Sequence, residues 1–109
     1  MPLTRSTRNF VFKMETGQQI SEPVDLSQFA WGSIELPPSL DGLTIDYLVS
    51  VGGGFVAAAD TEGAALAPIT FAPGLILALP QEIMSACSFR VRASAPQTAE
   101  REFRVNLKG

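Results

Sequence analysis

The residues able to do chemistry are few. The chain of 109 residues contains no histidine and one cysteine, Cys87. It therefore lacks the commonest proton shuttle and metal ligand, and it can build neither an internal disulfide nor a cysteine-based zinc cluster. A serine nucleophile needs a base near neutral pH, and without histidine the substitute would be a desolvated lysine. Lys13 and Lys108 lie near the chain ends and are not placed like buried bases. Asp60-Thr61-Glu62-Gly63 sets two carboxylates in one turn, but a calcium loop needs a longer series of oxygen ligands, so the segment reads as a turn. Gly52-Gly53-Gly54 is not followed by Gly-Lys-Ser/Thr and leads into a strand pattern, which makes it a loop and not a phosphate cradle. Nothing brings two carboxylates into a cleft wide enough for glycoside hydrolysis. Cys87 opens an inward-facing alternation and reads as a buried apolar filler. The inventory leads to the expectation of a non-enzymatic protein with no metal and no cofactor.

Period-two alternation dominates the elements that must carry these residues. In Cys87–Ser94, Cys87, Phe89, Val91 and Ala93 share one side, and Ser88, Arg90, Arg92 and Ser94 the other. The last segment places Phe103, Val105 and Leu107 inward and Glu102, Arg104, Asn106 and Lys108 outward. Phe10, Phe12 and Met14 alternate with Val11 and Lys13 in a first strand ending at Thr16-Gly17. Further strands are expected over Ala30–Leu36, Leu43–Val51, Phe55–Ala59 and Leu66–Phe71, and the uncharged run reads as two buried strands around the Ala-Pro-Gly turn at 72–74. The connection Pro37–Gly42 is expected to be tight. Phe29 and Trp31 share a strand face. Core packing is the default for such a pair, whereas exposure would point to a subunit interface or a sugar-stacking platform. The run from Pro80 to Ala86 carries a proline at its start and an acid in its first turn, which suits a single helical turn.

Length and spacing predict an all-β antiparallel sandwich of about eight strands with one short helical turn near 80–86. Residues 1–16 would form an N-terminal arm and first strand, and residues 17–109 a single sandwich domain. The uncharged run Gly63–Gln81 is interrupted by Pro68, Pro73, Gly74 and Pro80, so no membrane helix is expected. Met1–Met14 lacks the apolar stretch of a signal peptide, and export by the Sec route is not expected.

The charges are segregated. Between Met14 and Phe89 there is no lysine or arginine, while all the basic residues (Arg5, Arg8, Lys13, Arg90, Arg92, Arg101, Arg104 and Lys108) lie near the two ends. If the last two strands form a hairpin, Arg90, Arg92, Arg104 and Lys108 make a basic stripe. Such a stripe is either a solvated face neutralised by Glu100, Glu102 and adjoining acids, or a surface that orients subunit packing or an acidic partner. A net charge of -3, with one tyrosine and one tryptophan, argues against nucleic acid.

The order of segments resembles small virion proteins of tailed phages and prophages. The residues are Gln18–Leu26, Trp31-Gly32-Ser33-Ile34-Glu35-Leu36-Pro37, Leu43–Ser50, Gly53-Gly54-Phe55-Val56, Phe89-Arg90-Val91-Arg92 and Arg104-Val105-Asn106-Leu107. The resemblance covers most of residues 17–109. The chain departs from it in its acidic middle and in Ala57-Ala58-Ala59. It implies a jelly-roll-like domain displayed on a virus particle, as a capsid decoration or cement protein or as a module of a tail or fibre. It also implies a self-associating chain, expected as a homotrimer, whose partner is the major capsid protein or another virion protein. The expected interface residues are Arg90, Arg92, Arg104, Phe29 and Trp31. The alternative is a carbohydrate-binding or adhesion module of a tail or fibre, which requires Trp31, Tyr47 and the Asp60–Glu62 turn to form one exposed groove.

Overall fold

The computed structural model describes residues 7–109. Its elements are β1 (Thr7–Met14), β2 (Val24–Asp25), β3 (Trp31–Glu35), β4 (Thr44–Ser50), β5 (Val56–Ala57), β6 (Ile69–Thr70), β7 (Ile76–Ala78), α1 (Gln81–Met84), β8 (Ser88–Ala93) and β9 (Arg101–Lys108). One sheet has the order β1-β9-β3-β7, the other β2-β8-β4-β5, with β6 also on β4. All pairings are antiparallel.

This is the strand order of a jelly roll. Thr7 faces Lys108, Val24 faces Phe89, Ser33 faces Ala78 and Leu48 faces Ala57. Partners thus close in step from both ends of the chain, as in one long hairpin bent beyond Ser50. Rolling that ribbon sets β9 against β3 and β8 against β4. The expected all-β, jelly-roll-like sandwich is therefore the fold, with the two-residue β2 as an addition that no alternation announced.

The core lies between the sheets because each long strand turns its apolar alternation inward. Phe12, Met14, Ile34, Phe103, Val105 and Leu107 come from one sheet, and Val24, Ile45, Tyr47, Phe89, Val91 and Ala93 from the other. Phe12 stacks on its register partner Phe103 at 5.2 Å and meets Phe89 edge-on at 6.0 Å. Phe89 also meets Tyr47 edge-on at 5.9 Å, so one ring joins the aromatic groups of both sheets. The helix spans 81–84 within the expected 80–86, and Pro80 precedes it as the N-cap. Its buried Ile83 and Met84 close the sandwich, each contributing about 1.5–3 kcal/mol by burial.

Several local expectations are corrected. The strands β8 and β9 belong to different sheets and make no hairpin; each pairs with a strand from the first half of the chain, which buries both of their apolar faces in one core. Pro37–Gly42 is not a tight turn between paired strands but carries the chain from β3 in one sheet to β4 in the other. Buried Gln97 fastens this crossing: its Oε1 accepts from Asp41 N–H at 3.0 Å, and its Nε2 donates to the carbonyls of Asp41 and Ala95. The turn at 72–74 likewise changes sheets, and β6 and β7 are half-exposed edge elements. Prolines flanking them suit an edge, where a missing N–H costs nothing. Cys87 is exposed, because the strand starts one residue later at Ser88. β1 pairs with β9 along its whole length and sends Phe12 and Met14 into the core, so residues 7–14 belong to the sandwich. The arm residues before Thr7, with Arg5, lie outside the described residues.

Candidate functional site

β9 runs through the four-stranded sheet with Phe103, Val105 and Leu107 inward, which leaves Arg104, Asn106 and Lys108 outward. Register then fixes their neighbours. Val11 of β1, Arg104 of β9, Glu35 of β3 and Ile76 of β7 form one row across the outer face. Asn9, Asn106, Ser33 and Ala78 form the next row, and Thr7, Lys108 and Trp31 the last. Asn106 Nδ2 donates to Asn9 Oδ1 across the second row.

Together the first two rows make a shallow groove of about 430 Å³. Its floor is polar (Arg104, Glu35, Ser33, Asn106), and its rims are the apolar side chains of the two edge strands, Val11 and Ile76. A second hollow of about 310 Å³ continues it past Ser33 and Asn106 to Trp31 and Lys108. Val11 is 45% exposed, Ile76 67% and Trp31 52%. Among the described residues, Arg104 and Glu35 enter none of the ion pairs although they face each other on adjacent strands. The face thus offers apolar area beside two opposite charges that keep their hydrogen-bonding capacity.

The outer face of the other sheet is more self-contained. Arg92 grips Asp46, its register partner on β4, through two hydrogen bonds, with Nε to Oδ1 at 2.9 Å. That contact raises the guanidinium pKa above its usual value. The Arg90 guanidinium lies 4.6 Å from the centre of the Phe55 ring. On the adjacent strand Leu48, the register partner of Arg90, is buried although it lies outside the core cluster. In the four-stranded sheet, Lys13 of β1 is taken by Glu100 at 2.9 Å and Arg101 of β9 by Asp41 at 3.5 Å.

Of the five expected interface residues, Arg104 and Trp31 share the outer face of the four-stranded sheet. Arg90 and Arg92 are on the opposite outer face, so the basic stripe does not form. The reason is the assignment of β8 and β9 to different sheets. Phe29 and Trp31 also part: Phe29 precedes β3, half-buried against the core, and Trp31 is exposed on the strand. Nor do Trp31, Tyr47 and the 60–62 turn form one groove. Tyr47 is buried in the core, and burial pushes its hydroxyl up to about 12. The Asp60 carboxylate accepts from the N–H groups of Glu62 and Ala64, closing the expected turn beyond β5. The contributions of Asn9, Val11, Glu35 and Ile76 escaped the sequence reading. Alternation in β1 already set Val11 outside with Lys13; Ile76 lies in an apolar run where no face is legible.

Among the described residues no three His, Cys, Asp or Glu side chains are grouped to hold a metal ion. Among the same residues no helix is long and apolar enough to cross a membrane. Comparison with protein-family models, curated proteins and solved structures gives no match.

Proposed function

We propose that the protein is a non-catalytic building block of a symmetric assembly, a virion decoration or cement protein of a tailed phage, which packs through the outer face of its four-stranded sheet. The observation that carries this reading is the face itself: Val11, Ile76 and Trp31 stand exposed around the facing charges of Arg104 and Glu35. Apolar area contributes association energy, and a charge pair offered to a neighbour fixes orientation and discriminates among partners. The resemblance in segment order supplies the phage setting, the virion as location, the capsid protein as partner and the homotrimer as the expected state. Jelly-roll topology is compatible with it but hosts many functions. Arg104→Glu is expected to weaken self-association about tenfold or more, roughly 1.4 kcal/mol, with an unchanged circular dichroism spectrum. Sedimentation velocity and native mass measurement read the result, and a chain that stays solitary at high concentration, or an oligomer indifferent to the reversal, would overturn the proposal.

The adhesion reading keeps one observation in its favour, namely that Trp31 stands beside the amide and hydroxyl of Asn106 and Ser33 on the same face. Aromatic area beside planar hydrogen-bonding groups suits a sugar ring. A glycan array without hits removes this reading.

A further inference from the structure

We infer that β1 is a self-pairing edge: two copies of the chain join β1 to β1 antiparallel about a two-fold axis at Asn9, fusing their four-stranded sheets into one continuous sheet. The inference rests on the assembly reading for the choice of partner, a second copy, and names a contact that reading does not specify: it joins the expected trimers in pairs, so that the whole assembly has an even number of copies.

β1 is a long edge strand whose one strand partner among the described residues is β9. Backbone direction alternates along it. Glu22 N–H donates to the Lys13 carbonyl at 2.9 Å, and Lys13 N–H donates to Glu22 Oε1 at 2.7 Å, so the backbone groups of Lys13 point away from β9. With a period of two, those of Thr7, Asn9 and Val11 point the same way. Among the described residues Glu22 therefore caps the edge at Lys13 and leaves three successive outward residues, Thr7, Asn9 and Val11, open. An open antiparallel edge is complementary to itself, because a two-fold axis sets each N–H against the carbonyl of its copy.

The register follows from using every open group. Pairing Asn9 with Asn9 of the second copy also pairs Thr7 with Val11 and Val11 with Thr7, and it ends where Glu22 begins. Shifting the axis to Phe10 or Phe12 would require the groups that Glu22 already occupies, and an axis at Arg8 leaves Val11 open. In the Asn9 register the charges also agree: Arg8, whose guanidinium lies 4.8 Å from the centre of its own Phe10 ring, stands opposite the Phe10 of the other copy, and no like charges meet within 7–11. Exposed Val11 gains a neighbour on the outer face, and the two grooves come to lie on the same side of the joined sheet.

The test uses the full chain carrying Cys87→Ser, so that no native thiol competes. Directly opposed residues of a hydrogen-bonded antiparallel pair have Cα atoms about 5.5 Å apart and Cβ atoms set wider than a relaxed disulfide, within reach of a one-carbon bis-thiosulfonate cross-linker. That reagent is expected to turn the Asn9→Cys variant into a covalent dimer in high yield, whereas Val11→Cys, which faces Thr7, gives little. Asn9→Lys, which opposes two ammonium groups on the axis, is expected to halve the native mass of the assembly with the circular dichroism unchanged. An odd-numbered oligomer such as a simple trimer, or one that keeps its mass in Asn9→Lys and yields no Asn9→Cys cross-link, overturns the edge pairing and leaves the assembly reading standing. An oligomer lost in Asn9→Lys but unaffected by Arg104→Glu supports the edge and removes the face. A chain solitary at every concentration overturns both.

Discussion

Single side chains hold this sandwich in ways that composition does not reveal. Tyr47 is 4% exposed, and its hydroxyl has no hydrogen-bond partner. A buried polar group without a partner is a cost, about 1–3 kcal/mol, so Tyr47→Phe is expected to leave stability unchanged or raise it by about 1 kcal/mol in urea unfolding. The same substitution alters the alkaline response. The hydroxyl titrates at about 12 in the fold against 10.0 ordinarily, so the folded state holds its proton longer. Stability is full below 10.0 and falls as pH rises through about 12. Tyr47→Phe should flatten that alkaline decline, and an unaltered decline would show that Tyr47 does not drive it. Gln97 is the opposite case, a buried amide with its oxygen and nitrogen both engaged. The sequence marks neither difference, because a tyrosine in an alternating strand and a glutamine between turns look ordinary until their neighbours are placed.

At the scale of elements, alternation made β1, β8 and β9 readable to within a few residues, since their inward and outward sets differ sharply in polarity. Where that contrast fails, so does the reading. β2 is too short to show a period, and 63–81 is apolar on every side, so the exposed edge β7 resembled a buried strand. Gly32 shows what element packing adds. It lies on the inner side of β3 against β9, where an added Cβ would meet Asn106 O and Leu107 Cδ2 at 2.7 Å. Gly32→Ala should therefore push β3 from β9 and destabilise by about 1–3 kcal/mol, measured as a lowered urea midpoint. A midpoint unchanged from the parent would mean that the two strands separate without strain.

Across the whole molecule, charge segregation along the chain does not become a charged pole. The ribbon closes from both ends, so β1 and β9 enter one sheet and β8 the other, and the basic residues are dealt to opposite faces. Loops joining the sheets use carboxylates as anchors. Ser27 N–H on Asp25, and Thr98 N–H on Asp41, hold both carboxyls below their ordinary 3.8. For acids lowered in the fold, the stabilisation is present well above 3.8 and disappears as pH falls through the lowered values. Urea midpoints are expected to drop on acidification below about pH 4, and Asp41→Asn should reduce that drop; a pH-independent midpoint would contradict the anchoring. The linear chain by itself determined the fold class, the inward residues of the long strands and the poverty of catalytic groups, since each follows from local alternation or from inventory. Only the tertiary structure decided which strands are neighbours, and with them the outer face and the open edge. Strand pairing joins residues far apart in the chain, and a period of two tells inside from outside but not one sheet from the other.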